Sequence, residues 1–556
     1  MNRTNYLKYL GFSLIIIIAI NVISSRVYQR FDLTSDKRFT ISESTEQLLN
    51  TIDSPLIIDL FLEGDLPSEF RRLRSETKQL LEEFRLTNPL IKVNYIDVLA
   101  DEETKDRNIE ELTKSGLKPY VNSKASNSKV SKELIFPWAF ASFGDNNITK
   151  IPLLKDDISS SLQEKVSNSI QNLEYAFADA FRKITQNKTK QIAVLKGNGQ
   201  LNDIYIADFL NTLSDYYRIA KFTLDSVATN PKKTLKQLSE YDLIISAKPT
   251  QAFSEEEKFV LDQYTIRGGK SLWLTESVII EEDSLKNASG SNIAVLKDLN
   301  LNDFFFKYGV RINPVIVNDM YSAPIWLALG EGSKAQFQPL RWPYSPLAKS
   351  ETNHPISKNI NLVRFDFASQ IDTLKNNIDK TILLQSSKLS KLQGVPTSIS
   401  LDLVTQEPDP STFNKGPQHL AVLLEGSFTS VYKNRIKPFQ LSDAKDNGIA
   451  SKMIIISDGN VIQNGVLRNQ PQELGFDKWT GKTLGNKEFL LNAVNYLLDD
   501  NGLMNIRSKD IAIAFLDEQR SVDERTKWQF INLLLPIVLL ALFAFGFNYL
   551  RRRQYS

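Results

Sequence analysis

The 556-residue sequence has no cysteine and two histidines, and its 67 basic and 65 acidic residues leave a net charge of only +2. Each scarcity removes a class of function. Without cysteine there is no thiol nucleophile, thiolate zinc site, iron–sulfur cluster or disulfide. His354 and His419 are too few for an all-histidine metal cage. The near-balance of charge gives no global pull toward nucleic acid, so no nucleic-acid partner is expected. What is present reads as folded protein: 24% charged and 10% aromatic residues. At roughly 100–200 residues per domain the length suggests three or four domains, each able to bury a core.

Two apolar segments mark the ends. Tyr9–Ser25, centred on Leu14-Ile15-Ile16-Ile17-Ile18-Ala19-Ile20, follows Arg3 and Lys8 and sits at the lower length limit of a membrane span. A retained anchor is favoured over a cleaved signal peptide, because Asn21-Val22-Ile23-Ser24-Ser25 lacks an Ala-x-Ala site. Phe530–Tyr549 is the second span. Trp528 and Tyr549 stand at interfacial positions, Arg551-Arg552-Arg553 follow, and Asn532, Pro536 and Asn548 interrupt the run without breaking it. Two spans place both termini on one side, and the arginine cluster makes that side the cytoplasm. The expected layout is a two-pass inner-membrane protein with cytoplasmic tails at 1–8 and 550–556, spans at 9–25 and 530–549, and a large periplasmic region between.

Within that region, Ser42 and Glu46 bracket a helix start, Leu56–Leu62 is an apolar strand, and Ser68–Leu86 is a helix burying Phe70, Leu73, Leu80, Leu81 and Phe84. Lys92–Asp97, Glu102–Ser115, the hairpin pair Glu133–Phe143 and Ile148–Leu153, and the long helix Ile158–Ile184 follow; Asn122–Lys132 reads as a mobile loop. The order β-α-β-α-β-β-α over 26–189 is that of a thioredoxin-like domain, without the cysteines for redox chemistry. From 190 to 510, strands at Ile192–Leu195, Ala220–Leu224, Leu243–Ser246, Ser271–Leu274 and Met453–Ile456 alternate with helices, among them one capped by Ser254 ahead of Glu255-Glu256-Glu257. This pattern implies a doubly wound parallel sheet. The proline-rich stretch at about 287–437 is an insertion in that sheet or a continuation of it. Residues 511–529 form a linker.

Candidate chemistry is thin. Gly197-Asn198-Gly199-Gln200 joins a strand to a helix and could offer backbone amides to a ligand, but Asn202 stands where a dinucleotide fingerprint needs its third glycine. Glu276 and Asp458 end strands on the side where open α/β sheets bind ligands. Gly481-Lys482-Thr483 lacks the upstream glycine of a P-loop, since residue 476 is Phe476, so any ATP hydrolysis belongs to another subunit. No Gly-x-Ser-x-Gly elbow accompanies His354 or His419. The expected ligand site is therefore Gly197, Asn198, Gly199, Gln200 and Glu276, with no metal, no cofactor and no catalytic residue.

Three blocks carry a resemblance. Arg30-Phe31-Asp32-Leu33-Thr34-Ser35-Asp36-Lys37-Arg38-Phe39-Thr40-Ile41-Ser42 is one. The second runs from Tyr241-Asp242-Leu243-Ile244-Ile245-Ser246-Ala247-Lys248-Pro249-Thr250 to Gly268-Gly269-Lys270-Ser271-Leu272-Trp273, and the third is His354-Pro355-Ile356. Together they resemble the GldG family, auxiliary "substrate-binding-like" components of gliding-associated ABC transporters in Bacteroidetes-type bacteria. The resemblance implies a partner ATPase and permease, and for the second domain a glutamine-amidotransferase-like sheet whose catalytic cysteine is missing here. Where relatives often place an aspartate, this chain has Glu276. The expectation is a non-catalytic subunit coupling an ABC transporter to something in the periplasm. The alternative is a tethered binding protein for a small molecule or peptide, with an enzyme third.

Overall fold

Ser42 opens the folded region as a helix cap, its hydroxyl accepting the Thr45 amide at 3.2 Å. The computed structural model describes residues 11–21, 40–126, 129–144, 147–155, 161–330, 335–509 and 518–555. Contacts divide the chain into two units, Met1–Lys509 and Asp510–Ser556. In the first lies an apolar helix α1 (Gly11–Asn21), shorter than a span. The rest of the predicted 9–25 segment, and Arg30–Phe39 of the first resemblance block, fall outside the described residues.

Next come α2 (Glu43–Asn50), β1 (Leu56–Leu60), α3 (Ser68–Thr87), β2 (Ile91–Tyr95), α4 (Lys105–Lys114), β3 (Tyr120–Ser126), β4 (Lys129–Ile135), β5 (Trp138–Phe143), β6 (Asn147–Pro152) and α5 (Leu162–Thr185). Four strands form a sheet in the order β2-β1-β5-β6, with β1 parallel to β2 and antiparallel to β5, and β5 antiparallel to β6. Phe84 of α3 meets Phe177 and Phe181 of α5 with ring centroids 6.1 and 5.7 Å apart, which locks the two long helices together.

Two expectations need correction here. Asn122–Lys132 is not a loop: its flanks form the hairpin β3–β4, running from Tyr120 opposite Ile135 to Ser126 opposite Lys129. Polar residues dominate both strands, so no apolar alternation marked them. The predicted strand Glu133–Phe143 divides at Phe136-Pro137 into strands of different sheets. Pro137 has no N–H to give a ladder.

The larger sheet uses β7 (Gln191–Lys196), β8 (Arg218–Thr223), β9 (Leu243–Ala247) and β10 (Lys270–Leu274), interleaved with α6 (Ala207–Ser214), α7 (Pro231–Leu238) and α8 (Glu255–Ile266). After α9 (Asn302–Tyr308) and β11 (Val315–Asp319) it gains β12 (Asp379–Gln385); beyond β13 (Ser390–Gly394) it gains β14 (His419–Thr429) and β15 (Asn447–Ile456). The helix α10 (Asn486–Leu498) follows. The sheet order is β12-β14-β15-β10-β9-β7-β8. The five strands from β15 to β8 are parallel, as the alternation of strands and helices predicts, while β14 runs antiparallel between β15 and β12. Part of the 287–437 stretch thus continues the sheet.

The central strands β7, β9 and β10 read as apolar runs because both faces are covered, whereas the edge strand β8 is largely exposed. On one face Phe209 and Leu213 of α6 and Phe489–Leu498 of α10 share a core with Ile192, Leu243, Leu272 and Ile454. On the other, α7, α8 and α9 bury Leu235, Phe259 and Phe304 around Trp273. Helix α8 begins with a complete capping box: Ser254 Oγ accepts the Glu257 amide at 3.2 Å and Glu257 Oε2 accepts the Ser254 amide at 2.8 Å. Ser254→Ala is expected to lower the unfolding free energy by about 1 kcal/mol, measured by denaturant titration of the full-length protein. No shift in midpoint would refute the cap's contribution.

The second unit contains α11 (Glu518–Asp523) and α12 (Arg525–Tyr555). Arg525–Arg553 contains an 18-residue window with a mean hydropathy of 2.5 and, among the described residues, is the one helix long and apolar enough to cross a membrane. Its 29 residues at ~1.5 Å each extend about 44 Å, past the ~30 Å hydrocarbon layer. The helix starts within the predicted linker, at Arg525 rather than Phe530, and Pro536 lies inside it without ending it.

Candidate functional site

The predicted ligand residues sit at the carboxyl ends of the parallel strands, but they form two separate constructions on the loop that follows β9. Gly197–Gln200 leaves β7 and is closed over by that loop. Thr250 and Gln251 each donate their amide to Asn198 O at 3.0 Å, and Thr250 Oγ1 donates to Gly199 O at 3.0 Å. Gly199 has φ +70°, and a Cβ there would overlap Thr250 Oγ1, so glycine is required by close approach rather than for phosphate. The Asn198 amide donates to Gln200 Oε1, and Asn198 Nδ2 donates to Glu257 Oε2 of the α8 capping box. Those bonds fix both side-chain amides and leave Asn198 Oδ1 and Gln200 Nε2 buried without a partner among the described residues.

Glu276 belongs to a buried charge cluster. Its carboxylate receives Lys297 Nζ at 2.5 Å, Lys248 Nζ at 3.5 Å and the Gly459 amide at 3.3 Å. Lys248 directly follows β9 with a left-handed φ of +55° and also reaches Glu281 at 2.6 Å and Asn460 Oδ1 at 2.6 Å. A Cβ on Gly459 would overlap the Lys248 stem, so only glycine admits that lysine. Burial works against the Lys248 ammonium, but Glu276 and Glu281 outweigh it and raise its pKa. The lysine is a closed, protonated ion-pair partner rather than a free amine. Beside it Asp458 is wholly buried, and burial, then the Glu276 and Asp366 carboxylates, pushes its carboxyl well above the usual range. Its oxygens accept the amides of Asp366 at 2.6 Å and Asn460 at 2.7 Å.

Outside this cluster opens a cleft of about 300 Å³, lined by Glu282, Arg364, Asp366, Gln463, Phe476 and Asp477 among others. The two histidines are engaged elsewhere. His354 packs on the Tyr496 ring at 4.8 Å, His419 heads β14 opposite Gln385, and burial lowers the pKa of each. No group of three or more potential metal ligands occurs among the described residues.

A third construction has no signature in the sequence. Glu174, on α5, accepts the Ser42 amide at 2.6 Å and Thr45 Oγ1 at 2.8 Å on Oε1, and Lys509 Nζ at 3.2 Å on Oε2. Lys509 also donates to Thr40 O at 2.7 Å. The start of α2 and the last residue of the first unit are thereby held on one buried carboxylate. Just upstream, the side chain of Arg507 is 3% exposed. It donates to Pro355 O (2.9 Å), Lys358 O (3.0 Å), Asn172 Oδ1 (3.1 Å) and Glu488 Oε1 (3.1 Å), and lies over the Tyr175 ring. Glu488 also binds Lys155 at 2.6 Å. Although burial raises its pKa, Lys155 and Arg507 together hold it below the ordinary carboxylate value. These contacts tie the four-stranded part to the seven-stranded part. Glu174 and Lys509 stand 335 positions apart, so no local pattern could have paired them. Lys248 did carry a signal, as the one charged residue closing the apolar strand within Tyr241–Thr250.

Of the predicted membrane-orienting residues, Trp528, Tyr549 and Arg551-Arg552-Arg553 all lie on α12 and are exposed.

Comparison with known proteins gives the following. A family model described as an ABC-type uncharacterized transport system matches residues 189–493. A second model, described as a domain of unknown function, matches residues 35–142. An uncharacterized protein of Borreliella burgdorferi is 22% identical over 551 residues, covering 97% of this chain and 96% of its own. A solved structure titled "mmIFT52 N-terminal domain" superposes with a TM-score of 0.31 at 14% identity, covering 56% of this chain and 99% of that one.

Proposed function

The chain belongs to the ABC-type uncharacterized transport system family as an auxiliary component, and from that premise we propose that it is a membrane-anchored, non-catalytic coupling subunit. It would link a separate ATPase and permease to a substrate or partner outside the cytoplasm. The observation that carries this reading is the Glu174 clasp. Ser42 and Thr45 near the start of the folded body and Lys509 at its end are fixed to one carboxylate, so a displacement at either point acts directly on the same place in the fold. The closed state of Lys248 and Glu276 supports a non-catalytic role, because the strand ends are occupied by paired charges.

In this reading the protein is two-pass, with Arg551-Arg552-Arg553 facing the cytoplasm and Trp528 and Tyr549 at the interfaces. The sheet order β2-β1-β5-β6 supports a thioredoxin-like domain. The parallel run from β15 to β8, flanked by helices, supports an amidotransferase-like one. The likeness of Arg30–Ser42 and Tyr241–Trp273 to GldG supports a role in gliding motility. A tethered binding protein is the second reading. It is favoured by the unpartnered Asn198 Oδ1 and Gln200 Nε2 and by the 300 Å³ cleft beyond Glu276.

The test is affinity purification of the full-length protein from native membranes, with identification of what accompanies it. An ATPase and a multi-span permease are expected at stoichiometric yield. Recovery of the protein with neither would overturn the coupling role.

A further inference from the structure

The region around β11 and β13 has its own small core, in which Tyr344 lies 5.0 Å from Trp342 and 5.5 Å from Phe367, centroid to centroid. On its outer side is a pocket of about 320 Å³ between the Arg341–Tyr344 segment, β13 and the chain from Leu403 to Phe413. Tyr344, Phe413 and Leu403 give it an apolar lining. Tyr344 and Phe413 are buried, and the Tyr344 hydroxyl donates to Gln393 Oε1 at 3.0 Å, so that ring is held in place. Gln393 is spent in turn, its Nε2 donating to Thr397 Oγ1 at 2.9 Å. The Tyr344 hydroxyl and the Gln393 amide at the floor are therefore bonded within the fold.

The rim differs. Arg341 and Lys391 line the pocket, both exposed, and neither has a hydrogen-bond or ion-pair partner among the described residues. Other arginines of this chain are matched: Arg311 with Asp372, Arg364 with Asp366 and Arg435 with Asp303. Two acids share the rim. Asp409 is occupied by the Ser411 amide and hydroxyl at 2.9 and 2.8 Å, and Glu407 pairs with neither cation. Two unpaired cations above an apolar, aromatic floor suit a ligand with one anionic end and an apolar body. The volume lies at the small end of ligand sites, which run from ~300 to ~1,000 Å³.

We propose that this pocket binds a small organic carboxylate, its apolar body against Tyr344, Phe413 and Leu403 and its anionic group between Arg341 and Lys391. The proposal is independent of the transporter reading. It is tested on the full-length protein in lipid nanodiscs by calorimetric titration, with empty nanodiscs as the blank. The anionic probes are phenylacetate and octanoate; 2-phenylethanol and phenethylamine are the neutral and cationic counterparts. Saturable binding of at least one anion is expected, at least tenfold tighter than either counterpart. Arg341→Ala combined with Lys391→Ala should weaken it at least tenfold without moving the thermal midpoint, since both side chains are exposed and unpaired. Three results would overturn the proposal: no saturable binding of either anion, equal affinity for the neutral probe, or unchanged affinity in the double variant.

Discussion

Glu276→Ala is expected to destabilise the protein by about 3–5 kcal/mol, the range found when one partner of a buried ion pair is removed. The cost arises from what stays behind. Lys297, with its side chain 5% exposed, has no ion-pair partner other than Glu276 among the described residues, and Lys248 loses one of its two carboxylates. The Gly459 amide loses its acceptor as well. Denaturant titration of the full-length protein, followed by tryptophan emission, reads the effect. A double-mutant cycle isolates the pair: adding Lys297→Ala to Glu276→Ala costs less than Lys297→Ala alone, with a coupling energy on the order of 0.5–3 kcal/mol. Strict additivity would show that the two groups do not act as a pair.

Arg507→Ala is the second large effect, also about 3–5 kcal/mol. It removes four hydrogen bonds at once and strips Glu488 of one of its two cations. Lysine should not restore stability, because a single ammonium cannot reproduce a planar fork shared among two carbonyls, an amide and a carboxylate. The expected local signature is amide exchange that accelerates more in Leu503–Lys509 than in β9 and β10. If exchange accelerates equally in β9, the arginine supports the whole fold rather than this segment.

The pH dependence follows from the same contacts. Glu488 has a depressed pKa, so its contribution is full above the unfolded value near 4.5 and is lost as pH falls through the folded one. Asp458 acts in the opposite sense. Its folded pKa is raised, so the folded state holds the extra proton, and its contribution to stability declines as pH climbs from the unfolded value through the folded one. Removing Arg507 raises the Glu488 pKa and should move the acid limb of unfolding to higher pH. An unmoved limb in Arg507→Ala would show that Glu488 does not govern it.

What the sequence revealed was local. The Ser254 capping box spans three positions, and the strands at Ile192–Leu195 and Leu243–Ser246 are unbroken apolar runs, so both were read correctly. The terminal helix announced itself by length and by its arginines. The order of the larger sheet was out of reach, because β15 enters beside β10 with Ser271 opposite Met453, a pairing that no local pattern encodes. The Gly197–Gln200 loop was recognisable as a turn, but its closure depends on Thr250, about fifty positions on. Glu276 stands out in the sequence only by its place at a strand end. Its partners come from the residue after β9, from the turn after β15 and from Lys297, so its burial could not be inferred. The β3–β4 hairpin was missed because neither of its strands alternates apolar with polar residues.

The Lys509 ammonium rests on the Thr40 carbonyl although 469 positions separate the two residues. The folded body is thus nearly a closed ring, with its beginning and end a hydrogen bond apart. A short peptide joining the two ends would close that ring, so new termini cut into an exposed turn should leave the fold intact. A force applied at Thr40 and one applied at Lys509 therefore enter the folded body at the same spot.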